Sequence, residues 1–264
     1  MGLSSNPTAI AVEPSAAVAG VRINLASLSA AVAKLSRESR EGRGFTLFTL
    51  NLDHIVKLRR SAAFRAAYSR ATYVTADGWP VVWLANRGAA LLRRAAGADL
   101  VEPLCEAAAR HALGLYFVGP GATALSAALV LLRERYRGLQ IVGAESPIVS
   151  VDDNAPDTSA LARRITKSNA RICFVSLGAP KQELIAAALS EHCPGVGFVC
   201  VGAALDFISG QARRAPRWMR QSGLEWFWRL AGEPRRLAAR YCACAWVLLL
   251  LALGVKAIPE ETYS

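Results

Sequence analysis

Short apolar runs alternate along this chain with longer segments of helical periodicity. Four of the runs are dominated by hydrophobic and β-branched residues, at positions 45–51, 115–118, 171–177 and 197–201. Strands without polar alternation are typical of parallel sheets that helices cover on both faces. The pattern therefore predicts an α/β fold with a Rossmann-like, mostly parallel sheet.

The remaining segments complete this alternation. Helical spacing predicts helices at 52–68, 80–87, 99–112, 123–136, 157–168 and 181–193, and further strands at 72–76 and 139–144. With 53% hydrophobic residues, a chain of 264 residues can bury a sizeable core. We expect a flexible leader at 1–20, an α/β core at 21–210 and a C-terminal appendage at 211–264. The stretch 145–156 is the best candidate for a loop excursion.

Polar residues and glycines recur where the predicted strands end. Parallel sheets bind ligands at the carboxyl ends of their strands, so these positions are candidates for a site. Thr49 and Asn51 can hydrogen-bond a sugar or a nucleotide, or can cap the turn into the next helix. Asp77 can act as a general base, or can cap the helix near Pro80. The residues alone leave both alternatives open.

Two glycine-containing turns add weaker indications. The turn at 119–123 precedes a strong helix, but it lacks both the Lys-Ser/Thr ending of a Walker loop and the third glycine of a dinucleotide fingerprint. In the turn at 178–183, Pro180 suits the first turn of a helix. The polar side chains of Lys181, Gln182 and Glu183 follow at the helix N-terminus, at the mouth of the expected site. The alternative is a solvated first turn in which Glu183 interacts with the helix dipole. No Asp-x-Asp triad occurs. Phosphates would then be neutralised by helix N-termini and arginines.

The C-terminal region combines positive charge with tryptophan. Residues 211–241 hold eight arginines, two glutamates and three tryptophans, and residues 241–255 follow without a charge. Arginine suits phosphates, and tryptophan suits the membrane interface. Fifteen residues fall short of the roughly 20 that span a bilayer. We expect a helix that lies in the interface, the alternative being a buried terminal helix.

Six cysteines show no C-x-x-C spacing and do not cluster with the three histidines, so no zinc site is expected. No cofactor is expected either. The N-terminus lacks the pattern of a signal peptide, and the cysteines in strand-like runs suggest buried thiols in a reducing compartment.

Taken in order, these segments resemble the WecG/TagA/CpsF glycosyltransferases, glycosyltransferase family 26. The similarity covers about 45–241. It comprises Thr49-x-Asn51, Ala76-Asp77-Gly78, Gly97-x-Asp99-Leu100, Gly178-x-Pro180-Lys181-Gln182-Glu183, Val201-Gly202-Ala203-x-x-Asp206-Phe207, Arg214-Ala215-Pro216, Gly223-Leu224-Glu225-Trp226 and Glu233-Pro234-x-Arg236-Leu237.

The resemblance implies an inverting, metal-independent transferase. It would move a hexose or N-acetylhexosamine from a UDP-sugar to a sugar carried on polyprenyl diphosphate, in bacterial cell-surface or exopolysaccharide assembly. It would work at the cytoplasmic face of the inner membrane as a peripheral or monotopic protein, and relatives self-associate. The donor sugar stays open between glucose, N-acetylmannosamine and its uronic acid.

By position, Asp77 matches the catalytic base that has been proposed for the family. Thr49, Asn51 and Gln182 match its pocket, and Arg229, Arg236 and Arg240 match an appendage thought to close over the site at the membrane. To these we add Arg235 on the lipid side. The remaining candidates for substrate binding are Arg94, Asp99, Gly119, Glu183, Gly202, Asp206 and Arg214.

Three other functions are compatible with parts of the sequence. A pI near 9.9 fits a nucleic-acid-binding protein, but the basic excess adjoins a hydrophobic run, which suits lipid better, so no nucleic acid is expected. The missing glycine fingerprint argues against a dinucleotide-dependent oxidoreductase. A non-catalytic membrane scaffold stays open.

Overall fold

The computed structural model describes residues 15–88, 90–147, 158–255 and 258. Its centre is a six-stranded sheet made of β3 (Phe45–Leu50), β4 (Tyr73–Ala76), β5 (Gly114–Val118), β6 (Gln140–Glu145), β7 (Ile172–Val175) and β8 (Gly197–Cys200). The strand order is β4-β3-β8-β7-β5-β6, and all neighbouring strands run parallel. The predicted α/β fold is confirmed.

Helices cover both faces of the sheet. The first face carries α2 (Leu52–Arg60), α3 (Ala62–Ser69), α7 (Ser159–Lys167) and α8 (Lys181–His192), and the second carries α1 (Leu28–Arg40), α5 (Gly97–Arg110), α6 (Ala122–Arg135) and the short α9 (Ala204–Ile208). Each face packs its own cluster of buried side chains. Because β3, β5, β7 and β8 face helices on both sides, all their residues are buried, as their unbroken apolar runs predict.

The helices that follow the strands lie on both faces of the sheet, and the points where the face changes are the expected position of a site. From β3 and β7 the chain continues into α2 and α8 on the first face, whereas from β5 and β8 it continues into α6 and α9 on the second. Neighbouring strands therefore send their next helices to opposite faces at three places: between β5 and β7, between β7 and β8, and between β8 and β3. Such switch points open crevices at the carboxyl ends of the strands.

The structure differs from the sequence prediction at two places. The helix predicted over 52–68 is two helices, because Ser61 adopts an extended conformation and its hydroxyl caps Phe64 at the start of α3. Within the predicted leader, β1 (Ala16–Val18) pairs with β2 (Val21–Ile23) and packs against α4 (Trp79–Ala85). Residues 1–14 of the predicted leader, the predicted helix start at Asp157 and most of the loop excursion lie outside the described residues.

The C-terminal region forms α10 (Arg217–Gln221), α11 (Glu225–Gly232) and α12 (Pro234–Ala252). One side of α12 packs on α2 and buries Leu237, Cys244 and Val247. Its other side leaves Trp246 and Leu249 exposed. One side of the helix therefore packs on the core, as the alternative of a buried terminal helix predicts. The interfacial position stays a prediction, for which the exposed apolar side is available. Within the described part of the chain, no helix combines the length and hydropathy needed to cross a bilayer.

Candidate functional site

Asp77 stands directly after β4, at the carboxyl edge of the sheet, where the switch points predict a crevice. Its backbone N–H donates to the Leu50 carbonyl oxygen at 2.8 Å, which extends the β3–β4 pairing by one residue and fixes the aspartate. Asn51 directly follows β3, and its amide nitrogen lies 3.5 Å from the Asp77 carboxylate. The Asn51 side-chain oxygen meanwhile caps α2 by accepting from the His54 N–H. The Asp77 carboxylate is 25% exposed, so it is held in place and can still reach a substrate.

Arg94 connects Asp77 to the C-terminal region. Its guanidinium lies 4.0 Å from Asp77, donates to Asp99 on α5 at 2.9 Å and donates to Glu225 on α11 at 3.2 Å. The three carboxylates together raise the pKa of Arg94, although burial opposes them. One arginine therefore joins the carboxyl end of β4, the start of α5 and the appendage.

Two further arginines converge on Asp99 from the appendage. Arg214 forms an ion pair with the Asp99 carboxylate at 2.7 Å, and Arg220 approaches the same oxygen at 3.5 Å. The Nε atoms of both arginines are buried and have no hydrogen-bond partner. Burial and the nearby Arg214 lower the pKa of Arg220. Buried donors without acceptors are costly, so this cluster is suited to receive an anion.

Phe207 supports the same cluster from α9. The guanidinium carbons of Arg214 and Arg229 lie 5.5 and 5.4 Å from the centre of its ring. Arg229 also forms an ion pair with Glu225 at 3.2 Å. An arginine over an aromatic face is held electrostatically by the ring. Phe207 thus aligns two arginines of the appendage over the carboxyl end of β8.

Gln182 organises the turns after β7 and β8. Its side-chain oxygen accepts from the Gly202 N–H at 2.9 Å, and its amide nitrogen donates to Glu183 at 2.7 Å. The left-handed backbone of Gly202, with φ of +59°, favours glycine in this turn. Gln182 is 3% exposed. Its amide therefore shapes the edge of the crevice from beneath.

Glu183 lies deeper than the sequence prediction places it. Its side chain is fully buried, and the oxygen that does not bind Gln182 has no partner. Burial raises the pKa of this carboxyl group. It belongs to a buried polar group with His54, whose pKa is lowered by burial, and Tyr68, whose hydroxyl donates to the Thr49 carbonyl oxygen at 2.6 Å. This group supports the end of β3 and the start of α8 from below.

The other predicted substrate-binding residues occupy different depths. Thr49 is 4% exposed and packs under Gly97, where a Cβ would stand 2.6 Å from the Cys200 carbonyl oxygen. Asp206 is half-buried at the start of α9, and burial raises its pKa. Gly119 directly follows β5 with φ of +74°, and a Cβ there would stand 2.6 Å from the Ser176 carbonyl oxygen. The candidates thus surround one region but are not all in its lining.

The arginines assigned to lipid divide into two groups. Arg229 belongs to the cluster at the site, and Arg240 forms an ion pair with Asp53 on α2 at 2.9 Å. Arg236 binds Glu233 one turn away, and Arg235 is exposed on α12. Arg229 therefore faces the crevice, Arg240 anchors α12 to the core, and Arg235 and Arg236 lie on the outer surface.

Sequence reasoning missed Arg220 and Trp79. The Arg220 side chain reaches from α10 to Asp99 in the first turn of α5, and the Trp79 indole donates to the Arg220 carbonyl oxygen at 3.4 Å. Gly223 makes this contact possible, because a Cβ there would stand 2.5 Å from the Trp79 ring. The motif Gly223-Leu224-Glu225 was the available signal, since a glycine that admits a close approach marks the contact point.

Among the described residues, no group of three or more His, Cys, Asp or Glu side chains is placed to hold a metal ion.

The profile of the glycosyl transferase WecG/TagA/CpsF family matches residues 16–261, nearly the whole chain. Its members are glycosyltransferases of cell-surface polysaccharide synthesis. The match extends from the first hairpin to beyond α12 and so includes Asp77, the arginine cluster and the appendage. The chain belongs to the WecG/TagA/CpsF glycosyltransferase family.

Proposed function

We propose that this chain transfers a sugar from a UDP-sugar to a sugar acceptor carried on polyprenyl diphosphate, with inversion at the anomeric carbon. The observation that carries the proposal is the placement of a fixed, partly exposed carboxylate, Asp77, beside three arginines, of which Arg214 and Arg220 have unpaired buried donors. A base for an acceptor hydroxyl and donors for a leaving diphosphate are the two requirements of this chemistry.

Asp77 takes the proton from the acceptor hydroxyl as that oxygen attacks the anomeric carbon. The bond from the carbon to the UDP oxygen breaks, and UDP leaves on the opposite side. Asn51 lies next to the carboxylate and is placed to orient it or the sugar. A single displacement, in which the acceptor oxygen attacks opposite the leaving UDP, inverts the configuration of the anomeric carbon.

Arg94, Arg214 and Arg220 are placed to stabilise the leaving diphosphate, on which negative charge grows as the bond breaks. Donors that strengthen their interaction with developing charge lower the barrier. In the structure, these guanidinium groups form ion pairs with the carboxylates of Asp99 and Glu225. Phosphate oxygens would replace part of that pairing and supply acceptors for the unpaired Nε atoms. No step in this account requires a metal ion, and metal independence is part of the proposal.

The nucleotide would lie along the carboxyl ends of β5, β7 and β8, where Gly119, Gly202 and Asp206 line or shape the crevice. Gln182, Glu183 and Thr49 act from below by holding the turns. We further propose that the chain acts at the cytoplasmic face of the inner membrane, in exopolysaccharide or related surface-polymer assembly, with residues 211–264 as the appendage. Self-association is compatible with this arrangement.

The test is product formation. The full chain is incubated with a panel of UDP-sugars and a lipid-diphosphate monosaccharide, with and without EDTA. We expect one UDP-sugar to add a single sugar mass to the acceptor in both conditions, with the new linkage inverted by NMR. A retained configuration, or transfer that EDTA abolishes, would contradict the proposed mechanism. Binding of an oligonucleotide with no use of any UDP-sugar would contradict the proposed function.

A further inference from the structure

All six tryptophans of the chain have exposed side chains. Two of them, Trp79 and Trp83, belong to α4 of the catalytic core, and the other four belong to the C-terminal region: Trp218, Trp226, Trp228 and Trp246. Tryptophan is a large side chain that folded proteins bury in most cases. Exposure of every tryptophan, in only two regions of the chain, marks an interaction surface.

Contacts join these two regions into one surface. At one end, Trp79 contacts Arg220 and Gly223 between α10 and α11. At the other end, Arg87 after α4 donates to the carbonyl oxygen of Ala252, the last residue of α12, at 3.0 Å. The same guanidinium stacks over Trp83, 5.4 Å from the ring centre. The exposed side of α4 therefore borders the last turns of α12.

The exposed side of α12 is apolar over its second half. Cys242, Trp246, Leu249 and Leu253 recur at helical spacing, and all are exposed. Trp226 of α11 extends this surface, because its ring lies 5.9 Å from Tyr241 of α12. The first half of α12 instead presents Arg235 and Arg236. A helix with a basic start and an apolar, tryptophan-bearing end is suited to an interface between water and lipid.

Charge decides which partner fits this surface. Neither residues 78–98 nor residues 234–255 contain an aspartate or glutamate. Of their six arginines, Arg94 and Arg240 are paired with carboxylates of the core, and the other four are exposed: Arg87, Arg93, Arg235 and Arg236, the last of them paired with Glu233. A second copy of the chain would bring like charges together at such a surface, which is unfavourable. Anionic lipid headgroups would pair with the arginines while the tryptophan rings enter the headgroup region.

We propose that α4 of the catalytic core, through Trp83 and Arg87, forms one membrane-binding surface with α12, so that the core itself contacts an anionic bilayer. This rests on the proposed function, in which the acceptor is carried on a lipid. Because Asp77 and Gly78 immediately precede α4, the surface sets the distance between the catalytic carboxylate and the bilayer. The diphosphate of a lipid-linked acceptor would then meet the arginine cluster without leaving the headgroup layer.

The first experiment measures binding of the full chain to vesicles of phosphatidylglycerol and phosphatidylcholine that contain no acceptor or donor. We expect Trp83→Ser to weaken binding about tenfold, since a tryptophan is removed from lipid contact. Trp83→Tyr should restore most of it, and Arg87→Gln should reduce the preference for anionic over neutral vesicles. The matched control is Val130→Ser, because Val130 is 52% exposed on α6, away from this surface.

The second experiment places the probe on α4 alone. Trp218, Trp226, Trp228 and Trp246 are replaced by Phe, so that Trp79 and Trp83 are the only tryptophans. Brominated lipids should quench their fluorescence when the chain binds. Bound protein without quenching would overturn the proposal, as would full vesicle binding by Trp83→Ser. A change of oligomeric mass by light scattering, with unchanged vesicle binding, would assign the surface to a second copy and would also overturn it.

Both experiments are independent of catalysis, because neither sugar donor nor acceptor is present. A chain that binds these vesicles through α4 but uses no UDP-sugar would refute the proposed function and leave this inference standing. A chain that transfers sugar but binds vesicles through α12 alone would refute this inference and leave the proposed function standing.

Discussion

At the scale of single residues, the site is defined by donors that have too few acceptors. Asp99 alone receives Arg94, Arg214 and Arg220, and two of these keep a buried Nε without a partner. Asp77, Asn51 and Arg214 were predictable because each follows a strand or belongs to an ordered motif. Arg220 was not, since its role depends on how a short helix folds back, and no local pattern encodes that contact.

Arg220→Lys should lower kcat about a hundredfold with a smaller change in the KM for the donor. Lysine keeps the charge but loses the fork of donors that a diphosphate needs as its charge grows. Steady-state kinetics measures both parameters. Arg217→Lys is the matched control, because Arg217 is exposed on the same helix. Equal kinetics for the two variants would remove Arg220 from the reaction.

Glu183 should act by positioning Gln182 and not by touching substrate. In Glu183→Gln the new amide oxygen can still accept from Gln182, so kcat should stay near the wild-type value. Glu183→Met removes that acceptor, frees the Gln182 amide and should lower kcat roughly ten- to a hundredfold through misplacement of the Gly202 turn. A donor KM that rises in Glu183→Gln would instead indicate direct contact with substrate.

The same residue predicts a pH dependence of stability. Burial raises the pKa of Glu183 above its usual 4.5, so the native state keeps a proton that the unfolded state releases. Stability should therefore be lost as pH rises from about 4.5 through the folded pKa. In Glu183→Gln the side chain does not titrate, so the variant does not lose this stability as pH rises. The urea midpoint of the variant minus that of wild type should therefore be larger at pH 8 than at pH 4.5. A gain that is independent of pH would contradict a buried, protonated carboxyl group.

At the scale of elements, the strands were predictable and the helix boundaries less so. Unbroken apolar runs identify buried parallel strands, because both faces must be covered. The break at Ser61 was missed because apolar spacing continues across it, while the capping of α3 by the Ser61 hydroxyl is a local polar effect. The sequence of α12 does not determine its position, because apolar residues on a helix fit both a protein core and a lipid contact. In the structure one side of α12 packs on the core, and the other side exposes apolar residues.

The contact between Arg94 and Glu225 should hold α11 over the site. No residue of α11 is buried, so few apolar contacts oppose its release. Glu225→Gln weakens the contact and should increase proteolytic cleavage within 211–232 several-fold, with reduced turnover. Limited proteolysis followed by mass spectrometry measures the cleavage. Glu233→Gln is the control, because the Glu233 carboxylate is 55% exposed and pairs with Arg236 on the next turn. Identical cleavage patterns would mean that other contacts hold α11.

At the scale of the whole molecule, the sheet order brings distant segments together. The ends of β3 and β4 supply Asn51 and Asp77, the ends of β7 and β8 supply the Gln182 and Gly202 turns, and the appendage closes the cluster with its arginines. The sequence indicated these segments separately as polar strand ends. Their relative distances depend on the strand order β4-β3-β8-β7-β5-β6, which residue patterns alone do not determine.

The most direct measurement is acceptor-dependent release of UDP by the full chain, compared with Asp77→Asn and the remote control Glu191→Gln. Glu191 is an exposed carboxylate at the end of α8, paired with Arg70. We predict that wild type and Glu191→Gln release UDP from one donor of the panel only when the lipid-linked acceptor is present. Asp77→Asn should still bind UDP but turn over about 10²- to 10⁴-fold more slowly, since the base is lost. Wild-type turnover by Asp77→Asn, or no UDP release by the wild-type chain with any donor, would contradict the account.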